Sequence, residues 1–308
     1  MTERPVVSVI MVSYSTRDLT IRSIETLKHA ATSVPFEIVV VDNASTDDSA
    51  DAIEASVPDV RVVRLDENVG FGRAVNAGAD LARGDWLLLL NPDTEPVGDV
   101  LAAFVAATRS PEGQGMYVGR TLRPDGTDDG KSIHGLPSLW SAACFATGAS
   151  TAFPSSPWLN PAALPGVDRS VASFVPAVSG CALFIERSLF AKLDGFAPDY
   201  FMYSEDIDLS ARAADLGVRP LLVPEAKVLH VGGASSTSAG KRVMVLRGQT
   251  TYFRLRWSPA RAFVGRALLL CGIGLRAAGS RLTGRAVYWR EAWRRRHEWL
   301  PGWPSPTS

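Results

Sequence analysis

Cysteine is scarce and unpaired in this sequence. Cys144, Cys181 and Cys271 are scattered and form no CxxC pair, which argues against a disulfide framework or a cysteine-built zinc site and fits a reducing compartment. Their expected role is that of small buried apolar side chains. Met1-Thr-Glu-Arg-Pro5 is not a charged region leading into an apolar stretch, so no secretory signal is expected and a cytoplasmic location follows. Long apolar runs are also missing. The longest near the C-terminus, Ala267–Leu275, falls well short of the about 20 residues of a spanning helix, so no transmembrane segment is expected. Val69-Gly-Phe-Gly-Arg-Ala74 lacks the third glycine of the dinucleotide-binding fingerprint, which removes that class. No internal repeat is present. Net charge is +0, from 32 basic and 32 acidic residues.

That zero conceals an asymmetry. From Lys241 onward one Lys and thirteen Arg stand against two Glu, so the tail is basic and everything before it is acidic. Charge separated in this way points to an acidic surface as the tail's partner. Trp289, Trp293 and Trp299 fall among the arginines at roughly helical spacing. Two readings stay open: a basic helix lying on an anionic membrane, or a helical cap packed on the main domain with a solvated arginine face.

The 308 residues, 46% of them hydrophobic, allow one large α/β domain with an appendage. Short β-branched or leucine-rich runs at Val6–Val12, Phe36–Val41, Val60–Leu65 and Leu87–Leu90 read as buried parallel strands. Helical patterns alternate with them. One follows a capping-box signal at Ser15-Thr-Arg-Asp18 and runs to about Ala30, and others cover Ser49–Ser56, Phe71–Ala82 and Asp99–Thr108. Residues 123–173 are rich in Gly, Pro and Ser and read as irregular loops. Beyond them come a strand at Ala182–Ile185, helices at Arg187–Leu193 and Glu205–Leu216, and short strands at Pro220–Val223 and Lys227–Val231. This alternation predicts a doubly wound, mostly parallel sheet, whose ligands gather at the carboxyl ends of the strands. Asp42, the Asp66–Asn68 stretch and Asp93 each follow such a strand.

The residues with chemical potential are few. Asp93, in Asn91-Pro92-Asp93, is placed either to bind a divalent cation or to form an ordinary Asx turn. Glu205, Asp206 and Asp208 either complement a helix dipole or, beside the apolar Phe201-Met-Tyr203, include a carboxylate of raised proton affinity suited to a base. His230 is a structural imidazole or a metal ligand, and Gly232-Gly233 after it would let backbone approach a phosphate. Asp42 is a turn residue or an acceptor for a nucleobase or ribose.

Together these pieces resemble the family 2 inverting glycosyltransferases of the GT-A fold, especially the rhamnosyltransferase-like branch. The resemblance covers about residues 6–236. It is carried by Ser8–Tyr14, Val39-Val-Val-Asp-Asn-Ala-Ser45, Glu67-Asn-Val-Gly-Phe-Gly-Arg-Ala-Val-Asn-Ala-Gly78, Leu90-Asn-Pro-Asp-Thr-Glu95, Phe201-Met-Tyr-Ser-Glu-Asp-Ile-Asp208 and His230-Val-Gly-Gly-Ala-Ser235.

It implies a GT-A domain over 1–238 and a basic helical region over 239–308. Asp206 would be the catalytic base with Glu205 beside it. Asp93 and His230 would hold a divalent Mg²⁺ or Mn²⁺ and the diphosphate. Ser13, Tyr14, Asp42, Asn68, Gly70, Asn76 and Asn91 would line the donor pocket. Asn91 stands where the strict acidic motif has its first Asp, offering an oxygen without a charge.

The implied reaction moves a sugar from a nucleotide-diphosphate donor, dTDP-L-rhamnose ahead of UDP-galactofuranose or another UDP-hexose, to a saccharide or polyprenyl-diphosphate-linked acceptor at the inner face of the plasma membrane. Nucleic acid is not an expected partner. A nucleotidyltransferase would want a Gly-rich basic loop where Ser13–Arg17 stands, and a non-catalytic sugar-nucleotide-binding protein would have no need of Asp93, Asp206 and His230 together.

Overall fold

A computed structural model describes residues 4–30, 34–110, 113–231, 239–283 and 286–305. The Gly232-Gly233 pair after His230 lies outside the described residues. In chain order the first half holds β1 (Val7–Ser13), α1 (Arg17–His29), β2 (Phe36–Asp42), α2 (Ser49–Ser56), β3 (Arg61–Arg64), α3 (Phe71–Asp80), β4 (Trp86–Leu90), β5 (Thr94–Val97), α4 (Val100–Thr108), β6 (Met116–Leu122) and β7 (Ile133–His134). Then come α5 (Leu139–Ala146), α6 (Ala149–Ala152), β8 (Ser173–Phe174), β9 (Ala177–Val178), β10 (Ala182–Glu186), α7 (Arg187–Lys192), α8 (Glu205–Asp215) and β11 (Leu221–His230). The last helices are α9 (Ala239–Arg256), α10 (Pro259–Thr283), α11 (Tyr288–Arg294) and α12 (Arg296–Trp299). The chain divides into two compact units: Met1–His134, Asp168–Ala197 and Leu209–Gly232 form the first, and Gly135–Val167, Pro198–Asp208 and Gly233–Ser308 the second.

The first unit is built on a sheet ordered β3-β2-β1-β4-β10-β6-β11-β5, with β8 added beside β11. The block β3-β2-β1-β4 is parallel; β1, β2 and β4 carry the mostly buried apolar runs of such a block, while β3, Arg61-Val-Val-Arg64, is its more exposed edge. Beyond β4 the sheet becomes mixed: β10 runs antiparallel to β4 and β6, β11 is parallel to β6, and β5 is antiparallel to β11. Strand β6 escaped the sequence reading because Gly119 and Arg120 interrupt its apolar pattern. Packing explains the glycine, since a Cβ there would sit 2.6 Å from the Ala226 carbonyl oxygen. The two short strands expected at 220–231 are one strand with an irregularity between Val223 and Lys227.

Two local expectations are corrected. The helix expected to open on a capping box begins after Thr16, without a side-chain cap bond, and Ser15 takes a positive φ of 52°. Residues 123–173, expected to be irregular, contain α5, whose Ser138 and Ser141 form a capping box. That signal uses serine where the pattern looks for Glu or Gln.

Aromatic packing holds the first unit's centre. Phe184 stacks on Trp86 with centroids 5.0 Å apart and on Phe104 at 4.8 Å, and Phe104 and Phe184 are both fully buried.

The second unit is helical. Phe253 stacks on Trp257 at 4.1 Å. Trp299 is fully buried and its indole N–H donates to the Ala292 carbonyl at 2.8 Å, so this tryptophan is part of the unit's core and not an interfacial anchor. Helix α10 also departs from expectation. Over Pro259–Leu282 it is 24 residues long and contains an 18-residue window of mean hydropathy 1.4, long and apolar enough to cross a membrane by length and composition. Counting only the uninterrupted run missed this, because Arg266 and Arg276 bound that run; within the second unit the Arg276 guanidinium donates to the Phe145 carbonyl at 2.7 Å. Cys144 and Cys181 are buried as expected, whereas Cys271 is exposed.

Replacing Phe184 by Ala removes the ring shared by both stacks and leaves a cavity, so unfolding in denaturant should show a loss of about 3–5 kcal/mol. A loss under about 1 kcal/mol would mean that the stack is not what organises this core.

Candidate active site

The parallel strands deliver their carboxyl ends to one edge, where Ser13 and Asp42 are register partners. Asp42 is buried, and its Oδ2 accepts from the Ser45 amide at 3.1 Å. Its Oδ1 is buried without a hydrogen-bond partner among the described residues. A buried carboxylate oxygen left in this way calls for a ligand donor. Asn43, which the sequence reading did not single out, fixes the neighbouring loop. Its Oδ1 accepts from the Val69 amide at 3.0 Å and its Nδ2 donates to Asn68 Oδ1 at 3.0 Å. Asn68 Oδ1 in turn accepts from the Gly70 amide. Gly70 has φ 87°, a conformation that a side chain would strain.

The other expected donor-pocket residues differ in how far they are engaged. The Ser13 hydroxyl is fully buried in a network with Thr16 and Thr20. Tyr14 is exposed. Asn76 donates to the Phe196 carbonyl and accepts from the Phe196 amide, both at 2.9 Å. Its amide ties α3 to that loop and so is not presented to a ligand. Asn91 sits on the turn after β4, its backbone amide donating to Cys181 and its carbonyl accepting from Thr94.

Asp93 and His230 are brought together by strand pairing. Antiparallel pairing of β11 with β5 sets His230 opposite Thr94, one residue past Asp93. His230 Nε2 then lies 3.1 Å from Asp93 Oδ2 across a sequence separation of 137. The other ring nitrogen, Nδ1, lies 3.3 Å from Asp129 Oδ2. Asp129 is itself held by the Thr121 hydroxyl and the Lys131 amide, and its side chain is nearly inaccessible. Hydrogen bonds to Asp129 first and Asp93 second raise the imidazole's pKa to about 9, against the opposing effect of burial. The bond from His230 is the largest influence lowering the pKa of Asp129, and it outweighs burial in company with Thr121 and Lys131.

Asp129 was missed in the sequence because it lies in the stretch read as loop. The only sequence clue was a run of polar turn residues, Asp125-Gly-Thr-Asp-Asp-Gly130.

The donor set suits a divalent cation. Asp93 and His230 offer one carboxylate and one imidazole nitrogen side by side, both partly accessible. Among the described residues no group of three or more His, Cys, Asp or Glu is arranged to hold a metal. Two protein donors leave positions for phosphate oxygens and water, as Mg²⁺ prefers, and Asp129 stands behind the imidazole as carboxylates do behind ligating histidines.

In the second unit, Tyr203 and Ser204 both adopt left-handed backbone, φ 67° and 73°, immediately before α8. Two such residues in succession store local strain at a site. Gly248 makes room for them, since a Cβ there would meet the Tyr203 carbonyl oxygen at 2.1 Å. Of the three acids that follow, Glu205 and Asp208 are buried, whereas Asp206 keeps partial access to solvent. Asp206 Oδ1 accepts from the Ile207 amide at 2.8 Å. The raised proton affinity expected beside the apolar wall falls on Glu205, whose carboxyl is pushed to about 8 by burial first and by Asp206 second. Buried as it is, Glu205 is unsuited to touching an acceptor alcohol.

Comparison with known proteins identifies the class. Residues 8–191 match the family model described as glycosyl transferase family 2. A curated relative, the N-acetylglucosaminyl-diphospho-decaprenol L-rhamnosyltransferase of Mycobacterium tuberculosis, is 32% identical over 238 residues, covering 73% of this chain and 76% of the relative. Among solved structures, the mannosyltransferase PcManGT from Pyrobaculum calidifontis in complex with GDP-Man and Mn²⁺ superposes with a TM-score of 0.58 at 18% identity, over 96% of this chain and 87% of that one. GalNAc-T7 with UDP, GalNAc and Mn²⁺ gives 0.53 at 19% identity, over 80% and 48%. At these identities the two structures speak to the fold, which is GT-A with a C-terminal helical region. The chain belongs to glycosyl transferase family 2 and is a glycosyltransferase.

Two outcomes follow. Asp129→Asn removes the charge behind His230, so an NMR titration should show the imidazole losing its proton at lower pH, and sugar transfer should slow by about 10–100-fold. Glu205 carries a proton in the folded state up to about pH 8 but loses it near 4.5 when free. The folded state holds the extra proton between these values, so Glu205's contribution to stability is fully present below that window and is lost as pH rises through it. Glu205→Gln should flatten the dependence of Tm on pH across the window, and an unchanged slope would place that proton elsewhere.

Proposed function

We propose that this glycosyltransferase moves L-rhamnose from dTDP-L-rhamnose to a saccharide carried on a polyprenyl diphosphate, with inversion, in the assembly of a cell-wall or surface polysaccharide. The observation that carries the reading is the Asp93–His230 pair, joined at 3.1 Å at the edge to which the strands deliver Asp42. The mycobacterial relative, whose name gives both rhamnose and a decaprenol-linked acceptor, supports the donor and acceptor chosen.

The roles follow from the chemistry. A bound Mg²⁺ or Mn²⁺ supplies charge to stabilise the departing diphosphate. Asp93 and His230 would hold it, His230 through an Nε2 that has given up its proton, and the Asp129 carboxylate at Nδ1 would fix the ring's orientation. Asp42 receives a donor N–H or O–H of the nucleotide on its unpartnered Oδ1. Asn43 holds Asn68 and Gly70 in the conformation that borders this edge, with Asn91 on the turn before Asp93. Asp206, the accessible member of its acidic trio, takes the proton from the acceptor hydroxyl as that oxygen attacks the anomeric carbon from the face opposite the leaving group. Glu205 keeps its own proton at neutral pH and so adds no second negative charge beside the base.

Residues 1–238 are assigned to the glycosyltransferase domain and 239–308 to a basic helical region that contacts the anionic inner face of the plasma membrane, where a polyprenyl-linked acceptor resides.

Asp206→Asn should cut kcat by about 10²–10⁴-fold while donor binding survives, and near-normal turnover in this variant would remove Asp206 as base. In a thermal-shift panel of dTDP-rhamnose, UDP-galactofuranose and other UDP-hexoses with and without Mn²⁺, dTDP-rhamnose should raise Tm most, with the rise depending on Mn²⁺. Asp42→Ala should abolish the shift. A larger response to a UDP-sugar would transfer the assignment to that donor.

A further inference from the structure

Two arginines of the second unit are packed where no acid meets them. The Arg242 guanidinium lies 4.6 Å from the centre of the Trp289 ring and 5.7 Å from that of Tyr288. Arg276 shares the same indole at 5.5 Å and lies 4.0 Å over Phe145. Among the described residues no carboxylate forms an ion pair with either of them. Burial lowers the proton affinity of both, and for Arg276 the positive charge of Arg242 lowers it further. Aromatic faces offset part of the cost of two cations held so close, but a ring quadrupole does not neutralise a charge. The arrangement is short of an anion.

Hydrogen bonding leads to the same conclusion. Arg276 donates to the Phe145 carbonyl at 2.7 Å, to the Gly272 carbonyl at 3.1 Å and to the Thr151 hydroxyl at 3.1 Å. A guanidinium has five N–H donors, so two remain. Capping of α5 accounts for the bond to Phe145; it does not account for Arg242, which makes no hydrogen bond to another described residue.

Arg276 opens on a groove of about 350 Å³ lined by Ala146, Thr147, Gly148, Thr151, Ala152 and Leu275. That lining is mostly apolar and has no acid. Leu275 is 58% exposed, and Phe153, next in sequence to the groove's Ala152, is 56% exposed. A cationic floor with apolar shoulders matches an amphiphile, an anionic head with hydrocarbon attached, better than a hydrophilic anion.

We infer that Arg276, backed by Arg242, and the α6–α10 groove form a binding site for the phosphate headgroup of a membrane lipid, with Leu275 and Phe153 seated among the acyl chains. The site rests on the membrane-facing reading of residues 239–308 and gives that reading a specific point of attachment. The α5–α6 segment, which precedes the basic tail by about a hundred residues of sequence, becomes half of the lipid surface.

The test is cosedimentation of the full chain with vesicles of phosphatidylcholine alone and of phosphatidylcholine mixed with phosphatidylglycerol. The chain should sediment with the mixed vesicles. Arg276→Gln should weaken binding about tenfold or more, the scale of charge-assisted hydrogen bonds. Thr151 is exposed, so Thr151→Glu places a competing carboxylate beside Arg276 at little risk to folding and should produce a similar loss, with Tm as the fold control. Arg294→Gln removes an exposed charge from the same unit and should cost no more than about fivefold, the effect of one positive charge near an anionic surface. Equal losses in all three variants, or sedimentation indifferent to headgroup, would overturn the site and leave the membrane reading in place. Absence of sedimentation with either vesicle would remove both. A Tm shift with inorganic phosphate in a chain that ignores vesicles would overturn the lipid source. None of these readouts involves sugar transfer, so the catalytic assignment stands or falls separately.

Discussion

The Asp93–His230 edge of the first unit depends on one strand pairing. Because β11 runs antiparallel to β5, His230 is set opposite Thr94 and reaches Asp93 across 137 positions of sequence. Because the same strand runs parallel to β6, its end also lies beside the turn that carries Asp129. A strand's register has a period of two, so a slip of one residue would turn the imidazole to the opposite face and separate all three groups. Gly119 belongs to the same constraint, since only a residue without a Cβ lets β6 pass the bulge at Ala226. The juxtaposition of Asp93, His230 and Asp129 thus rests on backbone hydrogen bonds of the sheet.

Burial separates the roles of neighbouring acids. Glu205 and Asp206 are adjacent in sequence, yet one is enclosed and retains its proton to about pH 8, while the other remains open to solvent. A pair of charged carboxylates side by side would repel each other; burying one keeps the negative charge on the other. His230 shows the opposite arrangement. Two carboxylates on its two ring nitrogens raise its proton affinity, so a metal ion taken up on Nε2 would have to displace the proton shared with Asp93 while Asp129 keeps the ring oriented from Nδ1.

The parallel half of the sheet was legible in the sequence because β1, β2 and β4 are mostly β-branched or leucine-rich runs, and α2 was found at its observed bounds. The mixed half was not, because β6 carries Gly119 and Arg120 and β5 carries Pro96, patterns that packing and an edge position permit but periodicity does not reveal. Asp93 and His230 were identifiable as candidates from their place after strands. Asp129 and Asn43 were not, since each acts on another side chain or loop, and such support leaves no signature beyond ordinary turn chemistry. Asn76 shows the reverse: a residue in a recognisable segment whose amide serves the fold. Helix α10 was underestimated because Arg266 and Arg276 broke the apolar run, although one Arg276 N–H is taken up by the end of α5.

The two left-handed residues before α8 have an evolutionary and practical corollary. Tyr203 and Ser204 hold a backbone shape that glycine adopts without penalty, and each departure of this kind costs about 1–3 kcal/mol. A more robust protein therefore lies within one or two substitutions of this one. Glycine at these positions, however, would also loosen the corner from which Glu205 and Asp206 project. On the proposed role of Asp206, a search for heat-resistant variants that fixes glycine here should yield sturdier molecules that turn over more slowly.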